Sequence, residues 1–191
     1  MRLGLVLLLC CAASAPLRAE SLLIDKHQSH AGFSLRALWI KRIDGQFTGV
    51  EGTITRDAVS GRVAVDVRIA SDSVVMEKDG YAEWARSDDF FAARSYPWIQ
   101  FRADGIPEGI LRNGGEREGL LTLRGITRPV RLVIEAATCP RPGVDCAVRA
   151  SGEVRRSEFG MDARRVVLGD KVQLQFSVRL QASTETPAEP S

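Results

Sequence analysis

Apolar and polar residues alternate along most of the chain. Val63, Val65, Val67 and Ile69 share one face of a segment whose other face carries Ala64, Asp66 and Arg68. Val172, Leu174, Phe176, Val178 and Leu180 oppose Lys171, Gln173, Gln175, Ser177 and Arg179. Val130, Leu132, Ile134 and Ala136 lie together against Arg131, Val133 and Glu135. A period of two with one apolar face predicts strands buried on one side and wet on the other. Residues 21–25, 31–38, 46–56, 98–105, 115–123 and 148–155 read as further strands. "RIDGQF", "DAVSGR", "RNGGER", "RGITRP" and "CPRPGVDC" read as the turns between them.

One region breaks the alternation. "DGYAEWARSDDFFAA", residues 79–93, is rich in Ala, Glu and Arg and predicts a short helix over 81–85 and a turn at 88–91. Ser87 or Asp88 is placed to cap the second. Another short turn is expected after Ser157. About eight antiparallel strands in one domain must protect their edges, and closure into a barrel does so directly. A two-sheet sandwich has the same periodicity and stays open as an alternative. The fold class is all-β, with no internal repeat.

The ends differ from the middle. "MRLGLVLLLCCAASAPLRAES" has an early Arg, an apolar run from Leu3 to Ala13 and small residues after it. That is the layout of a signal peptide, with cleavage expected after Ala19. Cys10 and Cys11 raise the alternative of a lipoprotein, but Leu9 stands where a small residue is wanted. The expected organisation is a signal peptide over 1–19, one domain over 20–182 and a disordered polar tail over 183–191. Removing Arg2 and Arg18 from 26 basic residues leaves 24 against 24 acidic ones. A neutral mature chain argues against a nucleic-acid binder. Export to an oxidising compartment makes Cys139 and Cys146, the two cysteines beyond the leader, an expected disulfide, with two free thiols as the alternative.

Catalytic signatures are missing. His27 and His30 are the only histidines, too few for a metal site without other ligands nearby. There is no nucleophile elbow, P-loop or dinucleotide fingerprint. The densest acidic spot near the aromatics, Asp88–Asp89, is explained by helix capping; as an acid/base pair it is the alternative for a hydrolase or isomerase. Phe90 and Phe91 are adjacent on a short turn. They are not expected to face one core alike, so one is assigned to the core and the other to an opening; plain core packing of both, which any interior needs regardless of a ligand, is the alternative.

An ordered series of motifs carries a resemblance. It runs through "IDKHQSHAGFSLRALW", "DGQFTGVEGTI", "VDVRIASDSV", "RSDDFFAARSYPWIQFRADGI", "EGLLTLRGITRPVRL", "RRSEFGM" and "LGDKVQLQFSV". In this order, from about Leu22 to Leu180, the chain resembles the YceI-like family of periplasmic polyisoprenoid-binding proteins. The resemblance implies a lipocalin-like extended antiparallel β-barrel of about eight strands with a short helical insertion, in favour of barrel over sandwich. It implies a pocket for a long apolar lipid, no general catalytic or metal group, no cofactor beyond a bound isoprenoid or other lipid, and homodimers. The family's His before the opening Ser is replaced here by Gln28, with His27 one place earlier. A second family His near the end of the next strand is missing, where the chain reads "RALWIKR".

On this reading the protein binds, transports or stores a long-chain apolar lipid (polyisoprenoid, quinone-type or fatty amphiphile) and is not an enzyme. Candidate lumen residues are Phe33, Phe47, Phe91, Phe101, Leu123 and Phe176. Arg124, Arg128 and Arg156 are candidates for meeting a headgroup at the mouth. The expected partners are the lipid and, transiently, a membrane, with no nucleic acid. The alternatives are a quinone-binding accessory to membrane electron transfer and a ligand-free stress-response module.

Overall fold

The structure, a computed structural model, describes residues 20–38 and 40–181. The segment read as a signal peptide, Trp39 and the tail 183–191 lie outside the described residues. Eleven antiparallel strands form one sheet: β1 (Glu20–Leu23), β2 (His30–Ala37), β3 (Lys41–Phe47), β4 (Val50–Asp57), β5 (Arg62–Ala70), β6 (Val74–Met76), β7 (Trp98–Pro107), β8 (Gly115–Leu123), β9 (Ile126–Ile134), β10 (Val148–Arg155) and β11 (Leu168–Val178). Helix α1 (Asp79–Arg86) follows β6, and the one-turn helix α2 (Ile110–Asn113) joins β7 to β8.

The hydrogen-bonded order is β1-β4-β5-β7-β8-β9-β10-β11-β2-β3-β6. Covalent continuity turns this line into a ring. Only Thr48 and Gly49 separate β3 from β4; β3 pairs with β2 and β6, while β4 pairs with β1 and β5. The pairs β1–β2, β3–β4 and β5–β6 are thus three long strands, each bent in the middle. Counted so, eight strands curl round one axis, which reconciles the eleven segments with the eight expected. The bends are pinned locally: the Asp25 carboxylate accepts the His27 amide at 2.8 Å, and the Gly49 amide donates to the Ser73 hydroxyl oxygen at 2.9 Å. An eight-stranded barrel has room for side chains or one small ligand.

Alternation decides which residues point inward. Ala31, Phe33 and Leu35 on β2, Val67 and Ile69 on β5, Leu121 and Leu123 on β8, and Val130 and Leu132 on β9 are buried together. The segment "RIDGQF", read as a turn, is instead most of β3. Gly45 is there because the Phe33 ring occupies the place of its side chain; a Cβ on Gly45 would lie 2.3 Å from Phe33 Cζ. The helix is longer than expected, and Ser87 ends it rather than starting a second one, its hydroxyl donating to the Trp84 carbonyl at 2.6 Å. The expected turn after Ser157 is a 3₁₀ turn over Arg156–Phe159.

The two ends of the barrel are built differently. One end carries α1, residues 87–97, the β8–β9 turn and the 3₁₀ turn, and it is closed by aromatic rings. The other carries β1, the β4–β5 turn, α2 and the loop closed by the Cys139–Cys146 disulfide, whose Cα atoms are 6.1 Å apart.

Candidate functional site

The lumen is apolar and divided. At the closed end Phe33, Phe47, Phe90 and Phe91 form a cluster in which Phe91 meets Phe33, Phe47 and Phe90 edge-on, at centroid distances of 5.4, 5.2 and 4.7 Å. Such tilted and edge-on contacts suit the ring quadrupoles. The cluster is set by the loop after α1: the Phe91 amide donates to the Ala85 carbonyl at 2.9 Å, and the Ala92 amide to the Ser87 carbonyl at 2.8 Å. That tight spiral, with Ala92 at φ 47°, turns both Phe90 and Phe91 inward, so both are buried. The structure has the alternative, core packing of both, because the backbone curls between them and lets two consecutive side chains enter one core. A space of about 50 Å³ remains beside the cluster, lined by Phe33, Phe47, Phe91, Leu123 and Phe176 among others.

A larger cavity of about 150 Å³ lies toward the other end. Val63, Val65, Val67, Phe101, Ala103 and Phe176 wall it on the strand side, and Ile110, Leu111 and Leu180 cover it from α2 and the chain end. Phe176 borders both spaces, so the two are neighbours along the axis. The six apolar residues singled out from sequence therefore all face the lumen, Phe101 at the larger cavity and the rest beside the aromatic cluster. Val65, Ala103, Ile110 and Leu180 were not singled out, although their strand phase puts Val65 and Ala103 on the same face as Val67 and Phe101.

The three candidate arginines are elsewhere. Arg156 is 1% exposed. Its Nε and Nη atoms donate to the carbonyls of Gly169, Met161, Ala163 and Leu168, so it clamps the loop before β11 and is not free for a headgroup. Burial draws the guanidinium below its usual pKa, with Asp170 and Asp162 opposing that effect. Arg124 donates from Nη1 to the carbonyls of Asp88 and Phe90, each at 2.6 Å; it fastens the aromatic insertion. Arg128 is exposed on β9 opposite Leu121 and lines neither cavity. All three belong to the closed end, where Arg124 and Arg156 fasten loops and Arg128 follows the β8–β9 turn.

The polar groups at the mouth of the larger cavity are Arg56, Glu108, Arg117 and His30. Arg56 Nη2 lies 2.9 Å from Glu108 Oε1 and Nη1 lies 3.3 Å from Glu20 Oε2. Its Nε is buried and makes no hydrogen bond among the described residues. The alternation held the signal: Arg56 continues the Gly52, Ile54 face of β4, and Arg117 continues the Gly119, Leu121 face of β8. A charged residue on a strand's apolar face marks a point where that face reaches water.

Neither cavity holds a constellation for catalysis. Asp88 and Asp89 are exposed. The carboxylates held below their ordinary pKa, among them Asp25, Asp57, Asp145 and Glu153, owe this chiefly to surface hydrogen bonds. No group of three metal-binding side chains occurs among the described residues. A third concavity, about 840 Å³, is lined by charged and polar residues such as Arg42, Asp44, Glu77 and Arg149 together with Val75, Met76 and the lumen residues Phe33 and Phe176.

With the geometry in place, comparison with known proteins is decisive at the family level. The YceI-like domain matches residues 23–180. The chain belongs to the YceI-like family. Solved structures of the same fold include BcnA from Burkholderia cenocepacia, at 19% identity and a TM-score of 0.64, covering 81% of this chain and 98% of that one. A polyisoprenoid-binding domain from Saccharophagus degradans, implicated in plant cell wall breakdown, aligns at 13% identity and a TM-score of 0.62 over 84% and 97% of the two chains. The YceI protein of Campylobacter jejuni aligns at 22% identity and a TM-score of 0.56, over 77% and 90%. No curated protein matches the chain by sequence. In this YceI-like chain's opening motif, where Gln28 precedes Ser29, Ser29 is fully buried and exchanges hydrogen bonds with the Arg179 backbone at 3.0 and 3.2 Å. In this chain that motif fastens the start of β2 to the end of β11.

Proposed function

We propose that this YceI-like protein binds an apolar lipid in the lumen of its barrel, without covalent chemistry, after export to the periplasm. The observation that carries the reading is the cavity bounded by Val65, Phe101, Ala103, Ile110 and Phe176, an apolar space with its charged residues confined to one mouth. An amphiphile fits that polarity: its chain against Phe101 and Phe176, its polar end beside Arg56 and Arg117. Each methylene moved from water into such a space contributes about 0.8 kcal/mol. The family membership and the described polyisoprenoid binding of the Saccharophagus domain support the same class of ligand.

Size limits the ligand. About 150 Å³ is below the roughly 300–1,000 Å³ that encloses a drug-sized molecule. The described lumen accepts a short segment of chain. A full isoprenoid tail has to press into the space behind Phe176 and displace the cluster of Phe33, Phe47, Phe90 and Phe91.

The test is solvent extraction of protein purified from the periplasm, followed by mass spectrometry, on the natural chain and on an Ala103→Phe variant that fills the cavity. A stoichiometric lipid in the first and none in the second is expected. A quinone-type ligand would reveal itself by ultraviolet absorbance. An empty natural protein that also takes up no added octaprenyl lipid would overturn the proposal and leave a barrel filled by its own side chains.

A further inference from the structure

The closed end of the barrel carries an apolar tip. Leu38 and Ile40 lie between β2 and β3, and Val166 and Val167 lie on the loop before β11. The Leu38 amide donates to the Val167 carbonyl at 2.8 Å, which joins the two loops into one surface. Val166 is 89% exposed and Ile40 88%, the highest values of any large apolar residue among the described ones; Leu38 and Val167 are exposed beside them. Isolated exposed apolar residues are ordinary, but several gathered at one apex mark a surface with a partner.

Cations surround the tip. Arg36 and Lys41 flank the first loop, Arg164 belongs to the second, and Lys78 precedes α1; all four are exposed. None of the four is in an ion pair among the described residues. Lys41 and Lys78 lie 5.9 and 5.7 Å from the Tyr81 ring centre, and Arg164 lies 5.6 Å from that of Trp84. These contacts bind both loops to α1 in a single rim of cations over aromatic rings. The carboxylates nearest in sequence to the two loops are already engaged, Asp44 with Arg42 and Asp162 with Arg165. Asp79 and Glu83 are the acidic residues of α1.

Apolar side chains at the apex and cations behind them match the layered chemistry of a bilayer surface, with acyl boundary inside and anionic phosphates outside. A second copy of this chain, placed tip to tip, would bring the same cations against one another. We propose that this end docks on an anionic lipid bilayer, with Leu38, Ile40, Val166 and Val167 entering the headgroup boundary and Arg36, Lys41, Lys78 and Arg164 meeting the phosphates. Docking of this kind does not depend on the lumen holding a lipid.

Co-sedimentation with vesicles of phosphatidylglycerol and phosphatidylethanolamine tests the proposal. The protein is expected to bind, and to bind less as salt rises. A variant combining Leu38→Asn, Ile40→Ser and Val166→Ser should lose roughly tenfold or more in affinity. Leu38 sits at φ 49°, where Asn is less strained than Leu, so this variant is expected to fold; its melting curve checks that. Val59→Ser, at a residue 76% exposed at the opposite end, should leave binding unchanged, and Ala103→Phe should do the same, which separates this test from that of the lumen. Equal binding by the natural chain and the triple variant would overturn the proposal. So would no binding at all, or a dimer in solution that the triple variant abolishes.

Discussion

Replacing Arg156 by Met tests the clearest disagreement between motif and structure. If the side chain met a headgroup, its loss would weaken ligand retention and leave folding nearly untouched. The geometry predicts the reverse. Four carbonyls, of Met161, Ala163, Leu168 and Gly169, converge on one buried guanidinium. Hydrogen bonds to a charged group contribute about 1.5–3 kcal/mol each. Against this stands the cost of burying the cation, several kcal/mol, which the Met variant recovers. The Met stem keeps part of the packing. What remains is four carbonyls without a donor, and a net loss of about 3–5 kcal/mol, comparable to breaking a buried ion pair.

The measurement is equilibrium unfolding in urea, with midpoint and slope fitted separately. A loss of about 3–5 kcal/mol is a large part of the 5–15 kcal/mol that stabilises an ordinary domain, so the midpoint should fall steeply. Arg156→Lys should recover less than half of the loss, since an ammonium is a single point and cannot reach four carbonyls spread along one loop. A loss below about 1 kcal/mol for the Met variant, together with weakened lipid retention, would refute the clamp and restore the headgroup role.

Two other perturbations follow from particular contacts. Gly45→Val should destabilise the barrel by about 1–3 kcal/mol through overpacking, because the new Cβ would fall within 2.3 Å of Phe33 Cζ; Phe33→Leu in the same chain should recover part of this, and strict additivity in the double-mutant cycle would refute the contact. Asp170 is pushed up by burial but held below its ordinary 3.8 by the Ser157 amide and hydroxyl, at 3.0 and 2.9 Å. A depressed carboxylate stabilises the fold above its unfolded pKa, and that stability is lost as pH falls through the folded value. Unfolding followed from about pH 5 downward should therefore show a shallower acid loss for Asp170→Asn; an unchanged profile would count against the assignment.

Strand phase was the most legible property of the chain. Alternation grouped Val67 with Val65, Leu132 with Val130 and Val172 with Phe176 on shared apolar faces, because a period of two leaves no choice of side once one residue is inside; Phe101 and Leu123 were named as apolar strand positions, and which faces line the lumen came only from the structure. Two kinds of information escaped it. Gly45 looks like a turn residue in sequence, and Gly152 like a gap in a strand, yet Phe33 and Leu132 cover them from the neighbouring strand, a pairing that only the register reveals. Phe90 and Phe91 were separated in expectation because neighbours on a simple short turn point apart. Their spiral is held instead by amides reaching back to Ala85 and Ser87, a geometry with no sequence period, and by Arg124, which lies outside the stretch. The arginines were misplaced for a related reason: a motif tells that a residue matters, while its phase on a strand tells where it points.

The two ends of the barrel have different chemistry, and this constrains how a lipid could pass. The cavity with the charged mouth opens near α2 and the disulfide loop, whereas the apolar tip and its cations stand at the aromatic end. A lipid drawn from a bilayer at the tip would reach the cavity through Phe33, Phe47, Phe90 and Phe91. The loop carrying Val166 is held by Arg156, and the loop carrying the two phenylalanines is held by Arg124. The same two side chains that misled a search for headgroup ligands therefore fix the apolar tip and the plug behind it. Loosening either clamp would act on the passage and leave the cavity walls intact, since Arg124 and Arg156 line neither the larger cavity nor its mouth.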